Sequence, residues 1–299
     1  MSIAWVFPGQ GSQKLGMAEE IISLPGARDR FELASSLLGR DLFRICQGTE
    51  STNDGLNDLN DTRNTQPAMF VIESLLVDHF LKQSKHPSVL AGHSLGEIVA
   101  LYAAGVFDAE TALKLLKSRS ELMASADKGG MTAIIGFDKD QLNELLSASE
   151  GVVIANDNSD SQIVLSGDPE ALSCLLESLN CKKAIPLKVS GAFHSPFMSK
   201  PAKAFEKILD EVTFCEAEIP VVSNSEPDFS CDCNVLKQRL KKQMITGVRW
   251  RETMKIFIKN DIKTLIEIGP GNVLGGLAKR SMKGVIIKSV SSPSYLFDS

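Results

Sequence analysis

Apolar residues recur along this chain in two rhythms, short continuous runs and helical spacing, and the two take turns. Ile3 to Phe7 is a continuous apolar run, the mark of a strand buried on both faces. Residues 30–48 and 66–83 carry helical periodicity and predict amphipathic helices, with the polar stretch Thr52 to Thr65 between them as a loop. Val89-Leu90-Ala91, entered through Pro87 and Ser88, predicts a second buried strand. Leu95, Ile98, Val99, Tyr102, Ala103 and Val106 then return at helical spacing, and a further helix is predicted from Asp108 to Ser125. From Gly129 the texture changes. Strands are predicted at Met131–Phe137, Val152–Ala155, Gln162–Ser166 and Ala184–Val189, with polar Asn156–Ser159 joining the middle pair. Helices fall at Asp138–Ser149, capped by its aspartate, and at Pro169–Leu179. This β-α-β-β-α-β order is the split βαβ unit of ferredoxin-like folds. The remainder predicts strands at Pro220–Asn224, Leu265–Ile268 and Val285–Val290, and helices at Cys233–Ile245, Trp250–Lys259 and Val273–Arg280. The pattern is that of an α/β protein with a mostly parallel sheet. Residues 1–128 and 194–299 form the expected large domain, and 129–193 an inserted small ferredoxin-like α+β subdomain.

Between the second strand and its helix stands Gly92-His93-Ser94-Leu95-Gly96. A Gly-x-Ser-x-Gly on a strand-to-helix turn is a nucleophile elbow: the glycines permit the sharp turn and lift the serine hydroxyl clear of the sheet. The next backbone N–H, from Leu95, points where an oxyanion would form, at a helix N-terminus. The glycine-rich turn Pro8-Gly9-Gln10-Gly11-Ser12-Gln13 lacks the lysine and spacing of a phosphate-binding loop, but its backbone can approach a ligand closely and supply a second oxyanion donor.

Composition narrows the field further. With 299 residues, 43% hydrophobic and 23% charged, the chain is an ordinary globular protein with a real core. A formal net charge of -5 argues against general nucleic-acid binding. No apolar run is long enough to span a membrane, and no targeting segment precedes the first strand, so a cytoplasmic protein is expected. The six cysteines show no zinc-type spacing; Cys231 and Cys233, the one close pair, read as loop thiols in a reducing compartment.

Two further residues attract attention. Arg119 falls in the middle of an apolar helix face made by Ala112, Leu115, Leu116, Leu122 and Met123. It is either held by a structural ion pair or snorkelling, or aimed into a cleft to grip a carboxylate in a two-pronged contact. Of the four histidines, His79 lies at a charged helix end, His86 in a polar loop, and His93 inside the elbow, pointing away from Ser94. His194, in Gly191-Ala192-Phe193-His194-Ser195-Pro196, follows a strand at the domain junction and is the candidate general base.

These residues resemble the malonyl-CoA:acyl carrier protein transacylases of fatty acid synthesis and the acyltransferase domains of polyketide synthases. The matching segments run in order from Phe7–Gln13 through Gly92–Glu97, Arg119 and Gly191–Ser195 to Ile268-Gly269-Pro270-Gly271. The resemblance implies a hydrolase-like α/β core with the ferredoxin-like insertion, and a role for each match. Ser94 is the expected acyl-carrying nucleophile and His194 its base; the backbone N–H groups of Gln10 and Leu95 form the oxyanion hole. Arg119 binds the malonyl carboxylate, and Gln243 orients the histidine through its backbone carbonyl. Asn158 matches an asparagine that lines the cleft. Leu95 after the serine and the Ala-Phe-His-Ser segment are of the malonyl rather than the methylmalonyl type. Malonyl-CoA and acyl carrier protein are the implied partners, with no metal, no tightly bound cofactor and a monomeric chain. Because carrier proteins are acidic in general, Lys279 with Arg280, or Arg249 with Arg251, are docking candidates. The segment Glu226–Asn234 matches no pattern. A trans-acting polyketide acyltransferase would share all of this. A serine thioesterase would share the elbow and histidine, but it calls for an acid between them in sequence and has no use for Arg119. A non-catalytic carrier scaffold would not need all three intact.

Overall fold

A computed structural model describes residues 2–49, 57–83, 86–126, 129–189 and 191–294. Residues 52–56 of the expected loop lie outside this set. In chain order, β1 (Ile3–Phe7) leads to α1 (Ala27–Leu38), α2 (Leu42–Gln47), α3 (Thr62–Lys82), β2 (Val89–Gly92), α4 (Gly96–Ala103) and α5 (Ala109–Ala124). Next come β3 (Gly130–Phe137), α6 (Lys139–Ala148), β4 (Val152–Ser159), β5 (Gln162–Gly167), α7 (Pro169–Ser178) and β6 (Cys181–Pro186). The chain finishes with α8 (Ser199–Glu211), β7 (Val221–Val222), β8 (Phe229–Ser230), α9 (Cys233–Lys242), α10 (Trp250–Lys259), β9 (Thr264–Ile268), α11 (Val273–Ser281) and β10 (Ile286–Val290).

Six strands form one sheet in the order β10-β9-β1-β2-β7-β8, parallel throughout except for the antiparallel edge pair β7–β8. Successive residues of β1 serve opposite faces, as a strand's period of two requires. Trp5 and Phe7 pack with α3, α4 and α5, while Ala4 and Val6 join Trp250, Met254 and Phe257 on the other face. A continuous apolar run is what such double-sided burial demands. The second sheet, of order β4-β5-β3-β6, is antiparallel and has an apolar cluster of its own, with Ile134 and Leu165 against Leu142 and Leu172.

Several expectations need correction. The predicted helix at 30–48 is two helices, α1 and α2, because Gly39 adopts φ 69° and ends the first. α3 begins at Thr62, capped by Asp61 rather than emerging from a loop, and its residues from Asn64 to Val77 are all buried. It is a central helix, not an amphipathic one. Pro67 sits inside it and leaves the Arg63 carbonyl without its helical donor; the Arg40 guanidinium donates to that carbonyl at 3.0 Å. β4 runs on through Asn156–Ser159, with register irregularities that bend it past the elbow. β6 starts and ends three residues earlier than periodicity suggests, and α9 stops at Lys242, before Gln243. Within Glu226–Asn234 lie the edge strand β8 and the Asp232 cap of α9.

Candidate active site

Functional groups of open parallel sheets gather beyond the carboxyl ends of the strands, where the strand order reverses. Here the chain moves from β1 outward to β2 on one side and later to β9 on the other. The turns after β1, β2, β7 and β9 therefore converge.

The turn after β2 is built as an elbow. A Cβ on Gly92 would lie 1.9 Å from the Gly96 carbonyl carbon, and one on Gly96 would lie 2.2 Å from the Phe7 oxygen. Only glycine permits both approaches. Ser94 is held at φ 55°, a conformation that costs a non-glycine residue about 1–3 kcal/mol and survives only where the surroundings impose it. Asn224, just beyond β7, imposes it. Its Oδ1 accepts from the Ser94 N–H at 2.7 Å, its Nδ2 donates to the Gly92 carbonyl at 2.6 Å, and its own N–H is bonded to Glu97. Since the serine's own N–H is occupied, it is the Leu95 N–H that stays open toward the site. Among the described residues neither this group nor the Gln10 N–H finds an acceptor.

His194 also has φ 55°, and it meets Ser94 Oγ through Nε2 at 2.7 Å. Its Nδ1 lies 2.9 Å from the Gln243 carbonyl oxygen, which can only accept, so Nδ1 carries the proton and Nε2 is free to receive that of Ser94. That carbonyl is available because Gln243 stands at the end of α9, where the last C=O groups lack helical donors. Burial, then the neighbouring Arg119 cation, push the His194 pKa from 6.5 down to about 3, so the imidazole is neutral at physiological pH. Among the described residues no acid stands behind the histidine; a helix-end carbonyl takes the place that a triad gives to a carboxylate.

Arg119 is fully buried. Its Nη1 donates to Gln66 Oε1 at 2.6 Å, and its Nη2 donates to Gln243 Oε1 at 2.8 Å and Ser94 Oγ at 3.2 Å. Among the described residues no carboxylate lies within ion-pair distance of it. Burial lowers its pKa to about 10, with Glu97 partly opposing that, and it stays cationic near neutrality. Arg119 borders the inner cavity through this guanidinium.

Ser94, Leu95, Arg119, His194 and Gln10 border a cavity of about 80 Å³. An outer cleft of about 590 Å³ shares Gln10, Val189 and Phe193 with it. Asn158 is placed differently: it does not border the cavity but accepts from His93 Nε2 at 2.9 Å, and Asn156 lines the wall instead. His93 thus points away from Ser94 and ties the elbow to β4. Of the docking candidates, Arg249 is paired with Glu252 and Arg251 with Asp157 and Asp160, so neither is a free surface cation; Lys279 and Arg280 are exposed. Among the described residues no cluster of metal-ligating side chains occurs, and no helix is long and apolar enough to cross a membrane.

Periodicity missed Asn224, Gln66 and the buried Glu97. For Gln66 and Glu97 the available signal was a polar residue inside a helix with no polar face. For Asn224 it was a position at the carboxyl end of a strand.

Residues 4–291 match the acyl transferase domain family. The chain is 44% identical over 290 residues to the malonyl CoA-acyl carrier protein transacylase of Synechocystis sp., covering 97% of each. The crystal structure of the Synechocystis malonyl-CoA:ACP transacylase superposes with a TM-score of 0.93 at 43% identity, over 98% of both chains. The chain is also 38% identical to a polyketide biosynthesis malonyl CoA-acyl carrier protein transacylase of Bacillus subtilis, over 94% of its own length and 97% of the relative's.

Proposed function

This chain belongs to the acyl transferase domain family, and from that premise we propose that it transfers malonyl groups from malonyl-CoA to the phosphopantetheine thiol of acyl carrier protein for fatty acid synthesis. The observation that carries the reading is Arg119: a buried cation with no acidic partner among the described residues, 3.2 Å from the hydroxyl of an elbow serine. Such a charge is costly unless an anion arrives to meet it, and an acyl group ending in a carboxylate supplies one. A simple esterase has no use for it.

In this mechanism the thioester enters between the large domain (1–128 and 194–299) and the inserted subdomain (129–193), whose separate apolar cluster supports that division. The outer cleft takes the pantetheine arm. The Ser94 hydroxyl gives its proton to His194 Nε2 as Oγ attacks the carbonyl carbon. The Gln10 and Leu95 N–H groups hold the oxyanion. The C–S bond breaks, coenzyme A leaves with the proton from His194, and a malonyl ester remains on Ser94. The carrier thiol then repeats the steps in reverse, its proton passing through His194 to Ser94 Oγ. Bound malonate also offsets the Arg119 charge that depresses His194, so the base strengthens when the right acyl group is seated. All the groups invoked come from one chain, and the reaction is assigned to the cytoplasm.

Intact mass tests the proposal. Malonyl-CoA should add one malonyl group to the protein and none to Ser94→Ala, and holo acyl carrier protein should remove it. Release of free malonate at the rate of transfer, without a thiol acceptor, would point to a thioesterase. Equal labelling by acetyl-CoA would refute the role given to Arg119.

A further inference from the structure

Arg119 is gripped by two amide carbonyls rather than by acids. Gln66 Oε1 takes Nη1 and Gln243 Oε1 takes Nη2, at 2.6 and 2.8 Å. Amide oxygens fix the guanidinium without neutralising it, whereas a carboxylate in either place would compete with an incoming anion. The grip depends on which end of each amide faces the arginine. A reversed amide would present NH₂ to a cation.

For Gln66 the orientation is dictated from a distance. The Gln66 Nε2 group donates to Thr62 Oγ1 at 2.8 Å, one turn earlier on α3. The Thr62 hydroxyl donates to Gln10 Oε1, also at 2.8 Å. Gln10 Oε1 can only accept, so Thr62 Oγ1 is left to accept from Gln66, and the Gln66 carbonyl must turn to Arg119. Every donor in the chain Arg119–Gln66–Thr62–Gln10 points away from the cation. Successive dipoles in such a chain polarise one another. Gln66 and Thr62 are buried. The far end of the chain is the side chain of the same Gln10 whose N–H faces the site.

We propose that Gln66, oriented by Thr62 and Gln10, is the positioning residue that sets Arg119 for carboxylate recognition and so determines acyl specificity. The inference rests on the malonyl-transfer reading above. Its measure is therefore a ratio, Ser94 acylation by malonyl-CoA against acetyl-CoA, read by rapid-quench intact mass over a range of thioester concentrations.

Gln66→Met keeps the length and removes the acceptor. Losing one hydrogen bond to a charged group should lower the malonyl-to-acetyl ratio about tenfold. Most of the loss should appear as a raised half-saturating malonyl-CoA concentration. Gln66→Glu should lower the ratio at least as far, because its carboxylate occupies Arg119. Thr62→Val should move the ratio the same way by a smaller factor, and Thr62→Ser, which keeps the hydroxyl, should restore it. Should the Gln66 variants fail to fold, the Thr62 pair alone decides: a lowered ratio in Val but not Ser upholds the proposal. Acylation by both thioesters falling together, or an unchanged ratio in folded variants, overturns it. A parent protein that takes no malonyl group refutes the transfer reading itself, a different result from any of these.

Discussion

Asn224→Ala removes a side chain that periodicity does not single out, yet the elbow hangs from it. The alanine leaves the Ser94 N–H and the Gly92 carbonyl without the partners they have at 2.7 and 2.6 Å. The Gly92 carbonyl is buried and the Ser94 N–H partly buried, and each orphaned group costs about 1–2 kcal/mol. The sum is about 2–4 kcal/mol, which in a chain of this size lowers Tm by roughly 3–6 °C. Catalysis should suffer independently, because Ser94 at φ 55° relaxes once its N–H is released and Oγ leaves the 2.7 Å contact with His194. Asn224→Asp separates the two bonds. It keeps an acceptor for Ser94 but sets an oxygen against the Gly92 carbonyl, beside buried Glu97. It should be as damaging as alanine at neutral pH and less so in mild acid, where a protonated aspartate can donate to Gly92 again. Thermal unfolding followed by circular dichroism gives the stability, and single-turnover acylation by intact mass gives the activity. Folded variants that melt within a degree or so of the parent and acylate at its rate would refute this account of the elbow.

Two pH predictions follow from burial. His194, held near 3, should keep single-turnover acylation flat from pH 8 down to about 5.5, whereas an apparent pKa near 6.5 would contradict its environment. Because its folded pKa is depressed, acidification below 6.5 destabilises the fold progressively, down toward about 3. Glu73 is the opposite case: burial, then Glu267, raise its pKa well above the usual carboxylate value, and among the described residues neither of its oxygens has a hydrogen-bond partner. Its folded pKa lies above the unfolded one, so its contribution is full in acid and is lost as pH rises through the folded value. Glu73→Gln should therefore gain Tm over the parent as pH is raised from 5 to 9; melting curves that stay parallel across that range would exclude this.

Much of the scaffold was legible because burial leaves a periodic trace. Ala4–Phe7 and Val89–Gly92 are uniformly buried and so uniformly apolar, and Arg119 was conspicuous because it interrupts an apolar stripe. The errors arise where local and tertiary signals part. α3 lost its expected polar face because it is packed on every side, and its start was hidden by a polar segment that is a cap and first turn. Gly39 splits a helix that the apolar spacing runs straight through.

Local chemistry alone determined the elbow, the open N–H that follows the serine, and the candidate nucleophile, because each depends on residues within one tight turn. Which groups complete the site was decided by tertiary structure. His194 meets Ser94 across 100 residues, and Gln243 and Asn224 reach it across 149 and 130. Their polar side chains carry no periodicity of their own, so nothing local says that they meet. Only the convergence of strand ends and the end of α9 makes a carbonyl, an amide and a guanidinium neighbours, and only their burial from water makes those contacts selective.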